Sequence, residues 1–294
     1  MTVHHSSFTW STSRFMDTLS GIVSRPSGAV GLFLVLANIL LAVISPLIVP
    51  YDFKAVNANS ILDPPSWHHW LGTDQLGRDV FTRTLLGGRQ AMIVTMTATP
   101  LAVLWGGCIG IYTGLVAGRF DEILMRIVDA FLSLPWILKM LLIIVMFGSG
   151  LFVLITTLAF FYGIPVIRIA RAATHSVIAR DYVSAARARG QSRFSIIWFE
   201  ILPNVLDALL VEGAMRWSWM LLAFTSLSFL GFGVSPPTPD WGLMIADARS
   251  YMAIAPWAGF APVAALSLLI IGINLTADAL AKTVGLDRAQ STVH

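Results

Sequence analysis

Residues 28–49 read GAVGLFLVLANILLAVISPLIV, 22 residues without a charge. A helix crossing the roughly 30 Å hydrocarbon core of a bilayer needs about 20 mainly apolar residues. The same pattern returns five times along the 294-residue chain, at about 91–117, 127–147, 150–167, 205–230 and 258–281. Composition agrees, with 56% hydrophobic and only 12% charged residues and a mean hydropathy of +0.76. Soluble domains carry about 25% charged residues. So few charges cannot give a globule of this size a wettable surface, whereas lipid makes the composition sensible. The expected fold is all-α integral membrane with six transmembrane helices. Gly148, Ser149 and Gly150 alone join the third and fourth, a tight helical hairpin.

Charge placement sets the expected orientation. Between residues 168 and 204 stand Arg168, Arg171, Arg180, Arg187, Arg189 and Arg193 against Asp181 and Glu200, and Arg119 and Arg126 flank another short connection. Basic connections stay in the cytoplasm. With six spans both termini are then cytoplasmic, in line with Arg14, Arg25, Lys282 and Arg288 near the ends. Residues 50–90 and 232–257 fall outside, the first as a large extracytoplasmic loop. That loop balances Lys54, Arg78, Arg83 and Arg89 with Asp52, Asp63, Asp74 and Asp79. The parts are a cytoplasmic N-terminal segment (1–27), the first helix with its outer loop (28–90), a transmembrane core (91–281) and a cytoplasmic tail (282–294). No cleavage site follows the first apolar run, which reads as a retained anchor. Trp67, Trp70, Trp241 and Trp257 lie in outer segments, where indoles favour the membrane interface.

Several function classes fall away. A net charge of +3 without a clustered basic face does not suit a nucleic-acid binder. The single cysteine, Cys108, sits in an apolar run and reads as a small packing residue. No lysine follows a glycine as a phosphate-holding P-loop requires. Neither HExxH nor GxSxG occurs, and the adjacent His68 and His69 read as solvated or interfacial rather than as metal ligands. The chain therefore reads as non-catalytic, binding no metal or cofactor.

Residues 181–204, DYVSAARARGQSRFSIIWFEILPN, are too polar to span yet patterned for helix. Gly190 permits a sharp turn, and Pro203 is expected to halt the second apolar run. The expectation is two short helices forming a cytoplasmic knob between the fourth and fifth spans. A helix merely lying on the membrane surface is the alternative.

This stretch resembles the EAA loop of binding-protein-dependent ABC importer permeases, which ends in the same G…LPN pattern. The resemblance implies a coupling helix docking into a partner ATPase through Asp181, Tyr182, Ser184, Ala185, Ala186, Arg187, Gly190, Pro203 and Asn204. Its small alanines would permit close approach. Ser184 stands where the family usually has Glu. Residues 69–89, HWLGTDQLGRDVFTRTLLGGR, resemble the HxLGTDxxGRDxxSR element of the C-type permease in the dipeptide, oligopeptide and nickel group; Gly72, Thr73, Asp74, Gly77, Arg78 and Asp79 carry it. Residues 227–242, LSFLGFGVSPPTPDWG, are similar to the family's LSFLGLG…PPxPxWG, and 118–135 and 271–280 also fit. Near the C-terminus the family's NLxGDALRD is NLTADALAK here. The resemblance covers about 28–288. It implies a second homologous permease, two ATPase subunits that use ATP and Mg, an extracytoplasmic substrate-binding protein, and a prokaryotic inner membrane. Peptides or similar small solutes are the expected cargo, with nickel or a metal chelate as the alternative. A stand-alone secondary transporter is the rival from another class, and it gives the Gly190 loop no role.

Ionisable groups inside spans face protein or a water-filled path. Lys139 falls in the middle of the third apolar run. Glu212 and Arg216 sit at i, i+4 in the fifth, the spacing of a neutralising pair. The other reading puts Lys139, Glu212 and Arg216 on the translocation path, favouring anionic solutes. Asp129 reads as structural.

Overall fold

The computed structural model describes residues 12–285, with side chains described from residue 16 onward. The described residues form helices and carry no strand. In order these are α1 (Thr12–Val23), α2 (Pro26–Ile48), α3 (Val80–Val116), α4 (Arg119–Ser133), α5 (Trp136–Phe147), α6 (Leu151–Ile178), α7 (Asp181–Ala188), α8 (Arg193–Ile196), α9 (Leu202–Phe229), α10 (Trp241–Ala248) and α11 (Trp257–Thr283). A π-turn, Ile197–Ile201, joins α8 to α9, so one helix runs from Arg193 to Phe229. Among the described residues five helices are long and apolar enough to cross a membrane, or six if α4 and α5 count as one broken span. Arg288 and the chain ends lie outside the described residues, as does the side chain of Arg14.

The third span departs most from its sequence reading. Instead of one helix over 127–147, α4 and α5 meet at 88°. Pro135 offers no N–H and pushes the residue before it out of helical geometry; Leu134 is extended, with ψ 137°. Helix α3 begins at Val80 rather than 91, because Asp79 caps it by accepting from the Thr82 N–H at 2.7 Å. Helix α6 runs past 167 to Ile178 because its arginines find carboxylates. Arg171 donates from Nε and Nη2 to the two oxygens of Asp121 at 2.5 Å each, and Arg168 lies 3.3 Å from Asp129.

Helices α3 and α6 form the spine of the bundle. Gly106, Gly110 and Gly114 on α3 lie against Val166, Ala170 and Thr174 in rising order, so the two helices run parallel. A Cβ on Gly106 would sit 2.9 Å from Val166 Cβ, and one on Gly110 would sit 2.6 Å from Ala170 Cβ. In lipid, such glycines gain packing by letting backbones approach closely. Helix α7, which follows α6, therefore stands at the end of α3 remote from the 49–79 loop. Helix α9 runs the other way: Trp217 Nε1 donates to Thr95 Oγ1 (3.0 Å), while Gly107 faces Leu209. Phe33, Val43 and Leu47 on α2 and Leu138, Leu142, Met146 and Phe147 on α5 are exposed, as lipid- or partner-facing surfaces require. Cys108 is exposed too, in the wall of an apolar α3–α9 groove of about 530 Å³, and so is not a packing residue.

Candidate functional site

The α7 segment is built by a turn on each side. Arg180 is extended (φ −83°, ψ 147°) and breaks the line of α6. At the far end Gly190 adopts φ +75°, the Gln191 N–H bonds the Ala186 carbonyl (3.2 Å) and the Gly190 N–H bonds that of Arg187 (2.9 Å). This is a Schellman ending, and its left-handed residue suits glycine. Val183 and Ala186, three residues apart, are fully buried. They pack in one apolar cluster with Ile111 of α3, Val177 of α6, Ile196 of α8, Ile201 of the π-turn and Val205 at the start of α9. Asp181, Tyr182, Ser184, Ala185 and Arg187 are exposed. The short helix thus presents one polar face outward and is fastened by the other to α6 and α8.

Two expectations about this segment are corrected. Ala186 belongs to the buried face, so its small size serves packing within the chain; Ala185 is the exposed alanine. There is no second short helix ended by Pro203, because residues 193–201 run straight into α9. Pro203 falls in the first turn of α9, after the π-turn in which Leu202 N–H reaches back to Ile197 O. The wider π-turn before it accommodates the proline, which has no N–H to continue the regular ladder. Asn204 Nδ2 donates to Glu200 O (2.7 Å), satisfying a carbonyl beside this irregularity.

The ionisable groups within the bundle are paired. Arg216 Nε donates to Glu212 Oε1 on the same face of α9, which is the neutralising arrangement. Lys139 is not in the middle of a straight span. It sits one turn into α5, beyond the bend, where its Nζ donates to Phe131 O (2.9 Å) and lies 5.3 Å from the centre of the Phe161 ring. Phe131 is in the last turn of α4, whose carbonyls lack helical partners, and a cation there is favourable.

At the opposite end, the 69–89 signature folds as two glycine turns (Gly72 φ +65°, Gly77 φ +68°) leading into α3. His69 Nδ1 lies 2.9 Å from Asp79 Oδ1, and the His69 ring is 4.8 Å from that of Tyr51. Trp241 is buried and donates from Nε1 to Thr84 O (2.8 Å), while Trp257 donates to Thr73 O (3.2 Å). Neither is a free interfacial indole, whereas Trp67 is 95% exposed. Asp240 caps α10 by accepting from Gly242 and Leu243 N–H groups, and burial pushes its carboxyl up to about 6. Burial likewise raises Asp247, with Arg78 and Arg83 pulling the other way.

These features sit inside a known family pattern. A family model described as the binding-protein-dependent transport system inner membrane component matches residues 106–286, which include α7 and its supports. The chain belongs to this family. It is 33% identical over 256 residues to the di/tripeptide transport system permease protein of Pseudomonas aeruginosa, covering 85% of this chain and 84% of the relative. It is 32% identical over 270 residues to the oligopeptide transport system permease protein of Bacillus subtilis, covering 92% and 88%. To the nickel transport system permease protein of Escherichia coli it is 34% identical over 257 residues, covering 87% and 93%. As a member of this family the chain is a multi-pass membrane component of a transport system, a permease rather than a catalytic subunit. Systems of this kind work with ATPases and a binding protein.

Sequence reasoning about this permease missed the α3 glycines, although their spacing of four was visible at Gly106, Gly110 and Gly114. It also missed the Asp121–Arg171 pair. No spacing rule joins residues 50 positions apart.

Proposed function

We propose that this permease forms half of the translocation path of an ATP-binding-cassette importer for peptides or similar small solutes delivered by a binding protein. In this reading α7 is the coupling helix and docks on an ATPase through Asp181, Tyr182, Ser184, Ala185 and Arg187. Gly190, Pro203 and Asn204 shape the segment, and Ala186 fastens it to the bundle. The α4–α5 pair counts as the third of six spans, both termini and α7 are cytoplasmic, and the 49–79 loop is extracytoplasmic in a prokaryotic inner membrane. A second homologous permease and two ATPase subunits complete the assembly, and ATP and Mg are used by the latter. Lys139, Glu212 and Arg216 line or support the path. A nickel or metal-chelate cargo is the second reading, favoured by the likeness to the nickel permease.

The observation that carries the proposal is the two-faced α7. Val183 and Ala186 are buried against α6 and α8, in an apolar cluster that also takes in Ile111 of α3 and Val205 of α9, while the other face is open. A push on α7 is therefore carried by packed side chains into α6 and into the long helix that α8 opens, and through the shared cluster toward α3.

The test is co-purification of the complex in detergent. Wild type should retain an ATPase subunit, and Arg187→Glu, an exposed change, should lose it while keeping wild-type thermal stability. Ala186→Glu should instead reduce stability by more than about 3 kcal/mol, because it buries a charge. Wild type that purifies alone and moves solute in ATP-free vesicles would overturn the importer reading. Uptake of labelled di- and oligopeptides against nickel complexes decides the cargo.

A further inference from the structure

The 69–89 signature takes no part in the coupling described above, yet it buries four charged side chains: Asp74, Arg78, Asp79 and Arg83. Arg83 is 2% exposed. Its Nη1 donates to Phe53 O (3.2 Å) in the 49–79 loop and to Pro237 O (3.4 Å) in the segment before α10, and its Nε lies 3.7 Å from Asp74 Oδ2. Arg78 donates from Nε to that same Asp74 oxygen at 2.7 Å and reaches within 4.0 Å of Asp247 on α10. Trp241, at the start of α10, lies against Gly88 of α3, where a Cβ would come 2.5 Å from its ring. Two guanidinium forks thus tie three stretches far apart in sequence: the 49–79 loop, the first turn of α3, and residues 231–248.

This arrangement needs arginine. A guanidinium presents donors in several fixed directions and holds two backbone carbonyls and a carboxylate together, whereas an ammonium is a single compact charge. It also resists separation, because pulling one stretch away would leave a buried charge short of its partners. We infer that Asp74, Arg78 and Arg83 are positioning residues that lock the 49–79 loop and α10 into one rigid cap, which moves as a unit as this end of the path opens and closes. The opening and closing rest on the importer reading; the locking does not.

Spin labels at Asn59→Cys and Arg249→Cys, both exposed, would test this in the whole transporter in lipid, with Cys108, the only native cysteine, changed to Ser. A second pair, Asn59→Cys with Ser184→Cys, reports whether the transporter cycles. With and without ATP, the Asn59–Arg249 distance should stay single and unshifted while the Asn59–Ser184 distance changes. An Asn59–Arg249 distance that shifts with ATP overturns the inference, whatever any mutant does. Arg83→Lys should split that distance, the second population rising roughly tenfold or more, as expected for losing a charged hydrogen bond. Solute uptake should fall with ATP hydrolysis retained. An unsplit distance in Arg83→Lys also overturns the inference. If no ATPase is bound and the Asn59–Ser184 distance stays fixed, the importer reading fails, and Arg83→Lys alone then decides the locking.

Discussion

Replacing Gly110 with Ala adds one methyl group where α3 and α6 approach closely. The new carbon would lie 2.6 Å from Ala170 Cβ and 3.1 Å from Arg171 N, and closer still to the Ile167 carbonyl oxygen. Carbon atoms prefer about 3.5–4.0 Å, so α3 and α6 must part by roughly 1 Å there. None of these atoms can swing aside, since two are backbone and the third is the first atom of its side chain. Overpacking of this kind costs about 1–3 kcal/mol. The upper part of that range is expected, because separation also loosens the approach of Gly114 to Thr174 Cβ, where a Cβ would sit at 2.8 Å. At roughly 2–4 °C per kcal/mol for a chain of this size, the unfolding midpoint in detergent should fall by about 4–12 °C. Gly107→Ala is the control. Its nearest neighbour is the flexible end of Leu209, at 3.2 Å, and alanine favours helix by up to about 1 kcal/mol. Its midpoint should hold or rise. The assay heats each purified variant and follows the soluble fraction by chromatography with tryptophan fluorescence. If Gly110→Ala and Gly107→Ala melt together, the close α3–α6 packing argument is wrong.

Two further perturbations test the polar contacts. Asp121→Ala strands Arg171 and should lower the melting midpoint by about 1–3 kcal/mol equivalents, the low side of a broken buried pair because Arg171 is partly exposed. Asp121→Asn, which keeps an acceptor, should fall between, and a reversed order would refute the pairing. Asp240 supplies the pH dependence. Its folded value of about 6 lies above the ordinary 3.8, so the folded state holds the proton more tightly. Its contribution to stability is therefore full below about pH 4 and lost as pH rises through 6, on the order of 2–3 kcal/mol at most. Asp240→Asn cannot titrate and keeps an oxygen for the α10 N–H groups. The stability gap between mutant and wild type should change across pH 4–6, and a constant gap would refute the assignment.

The legible part of the site was local. Gly190 at a left-handed turn needs no partner to be recognised, and the polar 181–204 stretch between apolar runs marked the place of α7. The Glu212–Arg216 pair followed from helical spacing alone. The side of α7 on which Ala186 lies was not legible, because alanine fits either face and eight residues give a weak period. Arg83 was counted as a loop charge, since its partners Phe53, Asp74 and Pro237 come together only when the chain folds.

By itself the sequence determined that the chain lives in lipid, where the apolar runs lie, and which short segments turn. Those outcomes depend on composition and on single residues whose backbone preferences are intrinsic. Only the tertiary structure decided that the third span breaks at Pro135 while the helix carrying Pro203 continues, and which face of each span packs. The physical reason is that a span is apolar on the lipid side and on the packed side alike. Periodicity therefore cannot tell one from the other. What separates the faces is close backbone contact, as at Gly106, Gly110 and Gly114, and ion pairing such as Asp121 with Arg171. Both require two distant stretches to be brought together.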